Sequence, residues 1–161
     1  MVAQETRSSR VAGRATPAGG RFYLALGANP AQRDKAIVRA FLWLKRRVEE
    51  TGRHGILAVS PELQPEIARA LGKPVADILF REGRMVIDYD RYVEWLKPAS
   101  LPASTQRPVV VAGLDGPLER ARGWGGPVLF VAEEAAAETL ASKGVVTPAD
   151  EDYTRPPRRE C

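Results

Sequence analysis

Apolar positions along this chain fall into short unbroken runs separated by longer amphipathic stretches, an alternation that predicts an α/β domain. The first run, Phe22–Leu26, ends at Gly27 and leads through Asn29-Pro30 into a charged, periodic segment reaching Gly52. A continuously apolar strand suits a sheet covered on both faces, as parallel sheets are. Asn29 is placed to cap the following helix, Pro30 fits its first position, and Gln32 stands at capping-box spacing. Ile37, Ala40, Phe41, Leu44 and Val48 recur on one stripe of that helix, and Gly52 closes it.

Four more strands are predicted, at Gly55–Val59, Arg84–Ile87, Val109–Ala112 and Val128–Val131. Leu63, Ile67 and Leu71 mark a short helical stretch between Pro61 and Gly72, broken or delayed by Pro65. Lys73–Glu82 reads as a helix started by Pro74 and stopped by Gly83, or as one arm of a hairpin pairing Ile78–Phe80 with Met85–Ile87; the helix is favoured. Asp90 is expected to cap a short helix carrying Tyr92, Val93, Trp95 and Leu96, and Asp115 to open another with Leu118 and Ala121. Pro98–Pro108 reads as a loop, and Glu133–Lys143 as an Ala-rich helix stopped by Gly144, with Val145-Val146 a candidate edge strand.

Strands alternating with helices in this order predict a single Rossmann-like three-layer domain over residues 20–147, with a mainly parallel sheet of about five strands and helices on both faces. Residues 1–19 read as a disordered basic lead and 148–161 as a disordered tail. The hydrophobic fraction of 44% is that of a globular chain. No apolar run approaches the roughly 20 residues that span a bilayer, and the first twenty residues lack the apolar core of a secretory signal. The expectation is a cytoplasmic protein without a membrane partner. A lone cysteine, Cys161, excludes an intramolecular disulfide and a CxxC metal site.

The net charge of +4 suggests nucleic acid until its distribution is considered. Over residues 1–21, Arg7, Arg10, Arg14 and Arg21 face only Glu5, whereas the tail's Arg155, Arg158 and Arg159 are outweighed by Asp150, Glu151, Asp152 and Glu160. What remains is nearly balanced. The densest basic run of the domain is Lys45-Arg46-Arg47, with Arg39 and Arg53 nearby; its usual meaning is a solvated helix face, and its alternative meaning is phosphate contact along a nucleic acid.

Candidate chemistry gathers where predicted strands end. Gly27, Ala28 and Asn29 join a strand to a helix N-terminus, a place that attracts anions, and Arg33 and Lys35 could add charge-assisted bonds to a phosphate. The segment is neither a P-loop nor a GxGxxG loop. Asp88 with Asp90, Asp115, and Glu133 with Glu134 stand at or just past three predicted strands, which in a parallel sheet would share the ligand-binding edge. Asp88 and Asp90 are the candidate metal ligands, with Mg²⁺ the cation such oxygens would hold for phosphoryl or hydrolytic chemistry. Helix capping explains Asp90 and Asp115 equally well. Trp43, Trp95 and Trp124 read first as core or rim packing; of the three, Trp124, in a Gly-rich loop, is the one placed for exposure and for ligand or partner contact. His54 precedes a strand, at the edge away from this site, and no Ser-His-Asp or Cys-His arrangement is visible. The leading expectation is a domain binding a nucleotide or other phosphate-bearing ligand. The alternative is a non-catalytic module binding nucleic acid or a protein through its basic helix and N-terminal lead.

Overall fold

A computed structural model describes residues 20–113 and 121–147. Among these the chain forms six strands and four α-helices, in the order β1 (Arg21–Ala25), α1 (Pro30–Thr51), β2 (Gly55–Val59), α2 (Gln64–Leu71), α3 (Lys73–Glu82), β3 (Arg84–Asp88), β4 (Arg91–Leu96), β5 (Val109–Ala112), β6 (Val128–Ala132) and α4 (Glu134–Ser142). The strands make one sheet in the order β1-β6-β5-β2-β4-β3. Every neighbouring pair is parallel except β3 with β4. The fold is therefore α/β with a mostly parallel six-stranded sheet, and no helix among the described residues is long and apolar enough to cross a membrane.

Because side chains alternate across a strand, each central strand feeds two cores. Leu24, Leu57, Val59, Val110, Leu129 and Val131 face one side, where Ile37, Ala40, Trp43 and Leu44 of α1, Ile67 of α2 and Leu79 of α3 cover them. Ile56, Ala58, Val109, Val111, Val128 and Phe130 face the other, against Leu140 of α4 and the loop residues Leu101, Ala121 and Trp124. Among the described residues, three helices thus cover the first face, while one helix and irregular chain cover the second.

α1 begins where its sequence says it should. Asn29 is extended, and its side-chain Oδ1 accepts from the Gln32 backbone N–H at 2.9 Å, while Gln32 Oε1 accepts from the Ala28 N–H at 3.0 Å. The helix ends at Gly52 in the left-handed region at φ 71°, where glycine carries no steric cost. Lys73–Glu82 is the helix, not the hairpin arm.

Two expectations fail, one on each side of the sheet. Residues 91–96 form strand β4 rather than a helix capped by Asp90, and β3 turns back antiparallel against it through Tyr89-Asp90. β-Branched and aromatic side chains at Tyr92, Val93 and Trp95 favour a strand, and β2 offers Val93 a fully buried place beside Gly55. The candidate edge strand at 145–146 reduces to one parallel bridge between Val146 and Phe22. The helix expected from Asp115 falls mainly outside the described residues; Ala121–Gly123, at its end, is a short 3₁₀ turn.

Candidate functional site at the carboxyl edge

β1 and β6 are parallel neighbours whose chains depart to opposite faces, β1 into α1 on the first face and β6 into α4 on the second. In open α/β sheets such a divergence is where ligands bind. Three chain segments meet there. Gly27 and Asn29 leave β1, Glu133 leaves β6, and Glu66 comes from the first turn of α2. Gly27 is required by crowding: a Cβ there would collide with the side chain of Gln32.

Arg33, in the first turns of α1, ties these segments together. Its Nε and Nη2 donate to the two Glu66 carboxylate oxygens at 2.6 and 2.9 Å. Its Nη1 and Nη2 donate to the two Glu133 oxygens, both at 2.9 Å. Each carboxylate is thus gripped by two N–H groups, the strong planar geometry particular to guanidinium. The Glu133 and Glu66 hydrogen bonds raise the Arg33 pKa well above its usual value. Hydrogen bonding from Arg33 holds both glutamates below the ordinary carboxylate range, against the opposing effect of burial. Exposure separates the two partners: the Glu66 side chain is 21% exposed and that of Glu133 is 62% exposed. Behind this cluster Arg69 donates to Asp34, with its Nη2 at 2.8 Å from Oδ1, and that hydrogen bond raises the Arg69 pKa.

Of the residues expected to bind phosphate, Gly27, Ala28, Asn29 and Arg33 come together at this edge, where the Ala28 N–H, the Asn29 Oδ1 and the Arg33 guanidinium already have partners within the chain. Lys35 does not join them: residues two apart on a helix point to different sides, so Lys35, exposed, faces away from Arg33. Asp115 lies outside the described residues. Trp124 is corrected outright. It is 2% exposed, packed in the second core, and its Nε1 donates to the Pro102 carbonyl at 2.8 Å. Its glycines serve close packing, since a Cβ at Gly126 would strike backbone oxygens of Gln106 and Arg107 at 2.5 and 2.6 Å.

The proposed gathering of carboxylates is also corrected. Because β3 runs antiparallel, Asp88 and Asp90 stand at the turn leading into β4, at the amino end of the parallel strands and across the sheet from Glu133. Among the described residues no group of three or more His, Cys, Asp or Glu side chains could hold a metal ion. His54 does lie at that opposite end. Its ring stacks on Tyr92 with centroids 3.8 Å apart, and its Nδ1 accepts from the Tyr92 backbone N–H at 3.1 Å.

The basic run on α1 divides. Arg47 is buried at 6% exposure, placed over the Trp43 ring at 5.3 Å and paired with Glu50, whereas Lys45 and Arg46 are half-buried. A run of three basic residues does not show this by itself; Arg47 is the member that shares a helix face with Trp43 and Leu44, and its guanidinium lies buried over the indole. The Arg33 double pair was equally hidden, its partners lying 33 and 100 residues away. No protein-family model, curated protein or solved structure matches the chain.

Proposed function

We propose that the chain is a Rossmann-like, three-layer domain that binds a nucleotide or other phosphate-bearing ligand at the carboxyl edge between β1 and β6. The observation that carries this reading is the second edge of the Arg33 guanidinium. Its Nη1 and Nη2 hold the mostly exposed Glu133 carboxylate in a two-bond fork. A phosphate fits the same fork, beside the amino end of α1 where the helix dipole favours an anion. In this reading Glu133 occupies the place of the ligand and yields to it, while the more buried Glu66 keeps Arg33 aimed. The ligand gains one guanidinium fork and displaces an exposed carboxylate that solvates readily.

A thermal-shift screen of the full chain against nucleotides and sugar phosphates, with and without Mg²⁺, tests it. A ligand at about a hundred times its dissociation constant adds roughly 2.7 kcal/mol of stability. Glu133→Gln, which leaves the fork without a competing charge, is expected to tighten binding of the same ligand. A flat screen with both the parent chain and Glu133→Gln, each melting cooperatively, rejects the reading and turns attention to a macromolecular partner.

A further inference from the structure

The carboxyl edge carries a second divergence, further along the sheet than the first. From β2 the chain moves outward to β3 and β4, whereas from β5 it moves the opposite way to β6, although β2 and β5 are parallel neighbours. Their exits also part across the sheet. β2 leads to Leu63 and Ile67 in the core of the first face, and β5 leads toward Ala121 and Trp124 in the core of the second. A reversal of this kind leaves a crevice outside the carboxyl ends of the two strands.

Ser60 and Gly113, the first residues past β2 and β5, stand at that crevice. The Ser60 backbone is satisfied: its N–H donates to the Ala112 carbonyl at 3.0 Å, and its carbonyl accepts from the Leu63 N–H at 3.0 Å. Its side chain is not. Ser60 is 6% exposed, stands at the N-cap of the turn Pro61–Leu63 without making the capping bond, and its hydroxyl has no hydrogen-bond partner among the described residues. Burying a hydroxyl without a partner is unfavourable, so one kept in this state at a ligand-binding edge calls for a group that arrives from outside. Gly113 keeps its place clear. It has φ 93°, and a Cβ there would strike the Ser60 Oγ and lie 2.9 Å from the Ser60 Cβ.

Backbone bonds set the spacing of the two divergences. The Leu26 N–H donates to the Ala132 carbonyl, the Gly113 N–H to that of Val131 and the Ser60 N–H to that of Ala112, so the four strand ends lie at one level. β2 is two strands from β6, and a strand spacing of about 4.8 Å sets Ser60 about 10 Å from the end of β6, where Glu133 begins. Arg33 joins the two places, since its other carboxylate partner, Glu66, belongs to the helix that follows β2.

We propose that both divergences hold one ligand, a nucleoside phosphate with its phosphate in the Arg33 fork and the polar edge of its base on the Ser60 hydroxyl. The inference rests on the phosphate reading of that fork and narrows it. Inorganic phosphate and the smallest sugar phosphates are too short to touch both places, whereas a nucleotide spans such a distance from phosphate to base edge. A serine hydroxyl both donates and accepts, which suits the mixed edge of a base.

Calorimetric titration of the full chain with ribose 5-phosphate and the four nucleoside monophosphates tests it. At least one nucleotide is expected to bind about tenfold or more tightly than ribose 5-phosphate, which carries the phosphate without the base. Ser60→Ala removes a hydroxyl that holds nothing in the free chain. It is expected to melt as the parent does and to weaken that nucleotide by about tenfold, with ribose 5-phosphate unaffected. Arg33→Met is expected to weaken both ligands. Nucleotides that bind no better than ribose 5-phosphate, or that are indifferent to Ser60→Ala, overturn the proposal and leave the phosphate reading standing. A Ser60→Ala chain that melts well below the parent also overturns it, because the hydroxyl then serves the fold. If none of these phosphates binds the parent chain or Glu133→Gln, the phosphate reading fails and this inference fails with it.

Discussion

Replacing Arg33 by methionine isolates the energetics of the carboxyl edge. Methionine keeps most of the aliphatic stem and good helix propensity, so the loss is the guanidinium itself. Four hydrogen bonds disappear, two to Glu66 and two to Glu133, but their weights differ. Glu133, largely in water, recovers its solvation, and its coupling to Arg33 belongs with surface pairs at roughly 0–1 kcal/mol. Glu66 is only 21% exposed, and after the substitution its nearest cation is Arg69, 3.9 Å away. Leaving that carboxylate without its fork costs about 2 kcal/mol, between the exposed and fully buried limits. For a domain of this size the change lowers Tm by roughly 6–10 °C. Urea unfolding at neutral pH, run as two double-mutant cycles with Glu66→Gln and Glu133→Gln, separates the pairs. The coupling to Glu66 is expected to exceed that to Glu133 at least twofold. Equal couplings, or a total cost below about 0.5 kcal/mol, would refute the claim that burial ranks the two partners.

The same cluster sets an acid limb. Glu66 and Glu133 ionise more readily folded than unfolded. Below about pH 5 the unfolded chain therefore binds more protons, and stability, full above the ordinary carboxylate range, falls as pH drops through the folded values. Arg33, shifted upward, stays charged throughout, so its own titration adds nothing to that limb. Urea midpoints between pH 7 and pH 3 are expected to fall less steeply for Glu66→Gln than for the parent. Trp124→Ala is expected to cost about 3–5 kcal/mol by emptying part of the second core. With the half-buried Trp95 replaced by phenylalanine, intrinsic fluorescence is expected to be poorly quenched by iodide, since Trp43 and Trp124 are both almost fully enclosed. At Gly55 an added Cβ would lie 2.8 Å from Val48 and 3.0 Å from Leu44, so Gly55→Ala is expected to cost about 1–3 kcal/mol in denaturant unfolding through overpacking between α1 and β2.

What could be read from the sequence was local. Gly55–Val59, Val109–Ala112 and Val128–Val131 are runs of apolar residues, rich in Val and Ile, with no polar interruption, and they form the buried central strands. Asn29, Pro30 and Gly52 marked both ends of α1 because capping chemistry is satisfied within a few residues. β4 was misread because Tyr92, Val93, Trp95 and Leu96 also sit at helical spacing; Glu94, which would have shown the strand alternation, is matched by Arg107 from the loop before β5 at 3.1 Å. That one misassignment moved Asp88 and Asp90 to the wrong end of the sheet. Arg33 was recognised as a site residue, but its partners were invisible, since nothing local distinguishes Glu66 or Glu133 from any solvated glutamate. The setting of Trp124 is ambiguous for a related reason: a glycine-rich stretch permits either an exposed loop or backbone approaching too closely for a Cβ, and only the second applies.

The position of β1 also governs when the domain can assemble. Its ladder partner is β6, Val146 adds a backbone bridge on its other edge, and the Arg21 guanidinium reaches the carbonyls of Ala121 and Trp124 at 2.6 and 3.0 Å. Every one of these follows β5 in the chain. The first strand of the domain to be made is thus among the last to be placed, and it must wait with α1 while the strands between are made. High sequence separation of this kind slows folding and prolongs the exposure of unpaired apolar strand. A nascent chain stalled before Val128 would hold β1 with no register to adopt, a natural point for chaperone engagement and for proteolytic sensitivity.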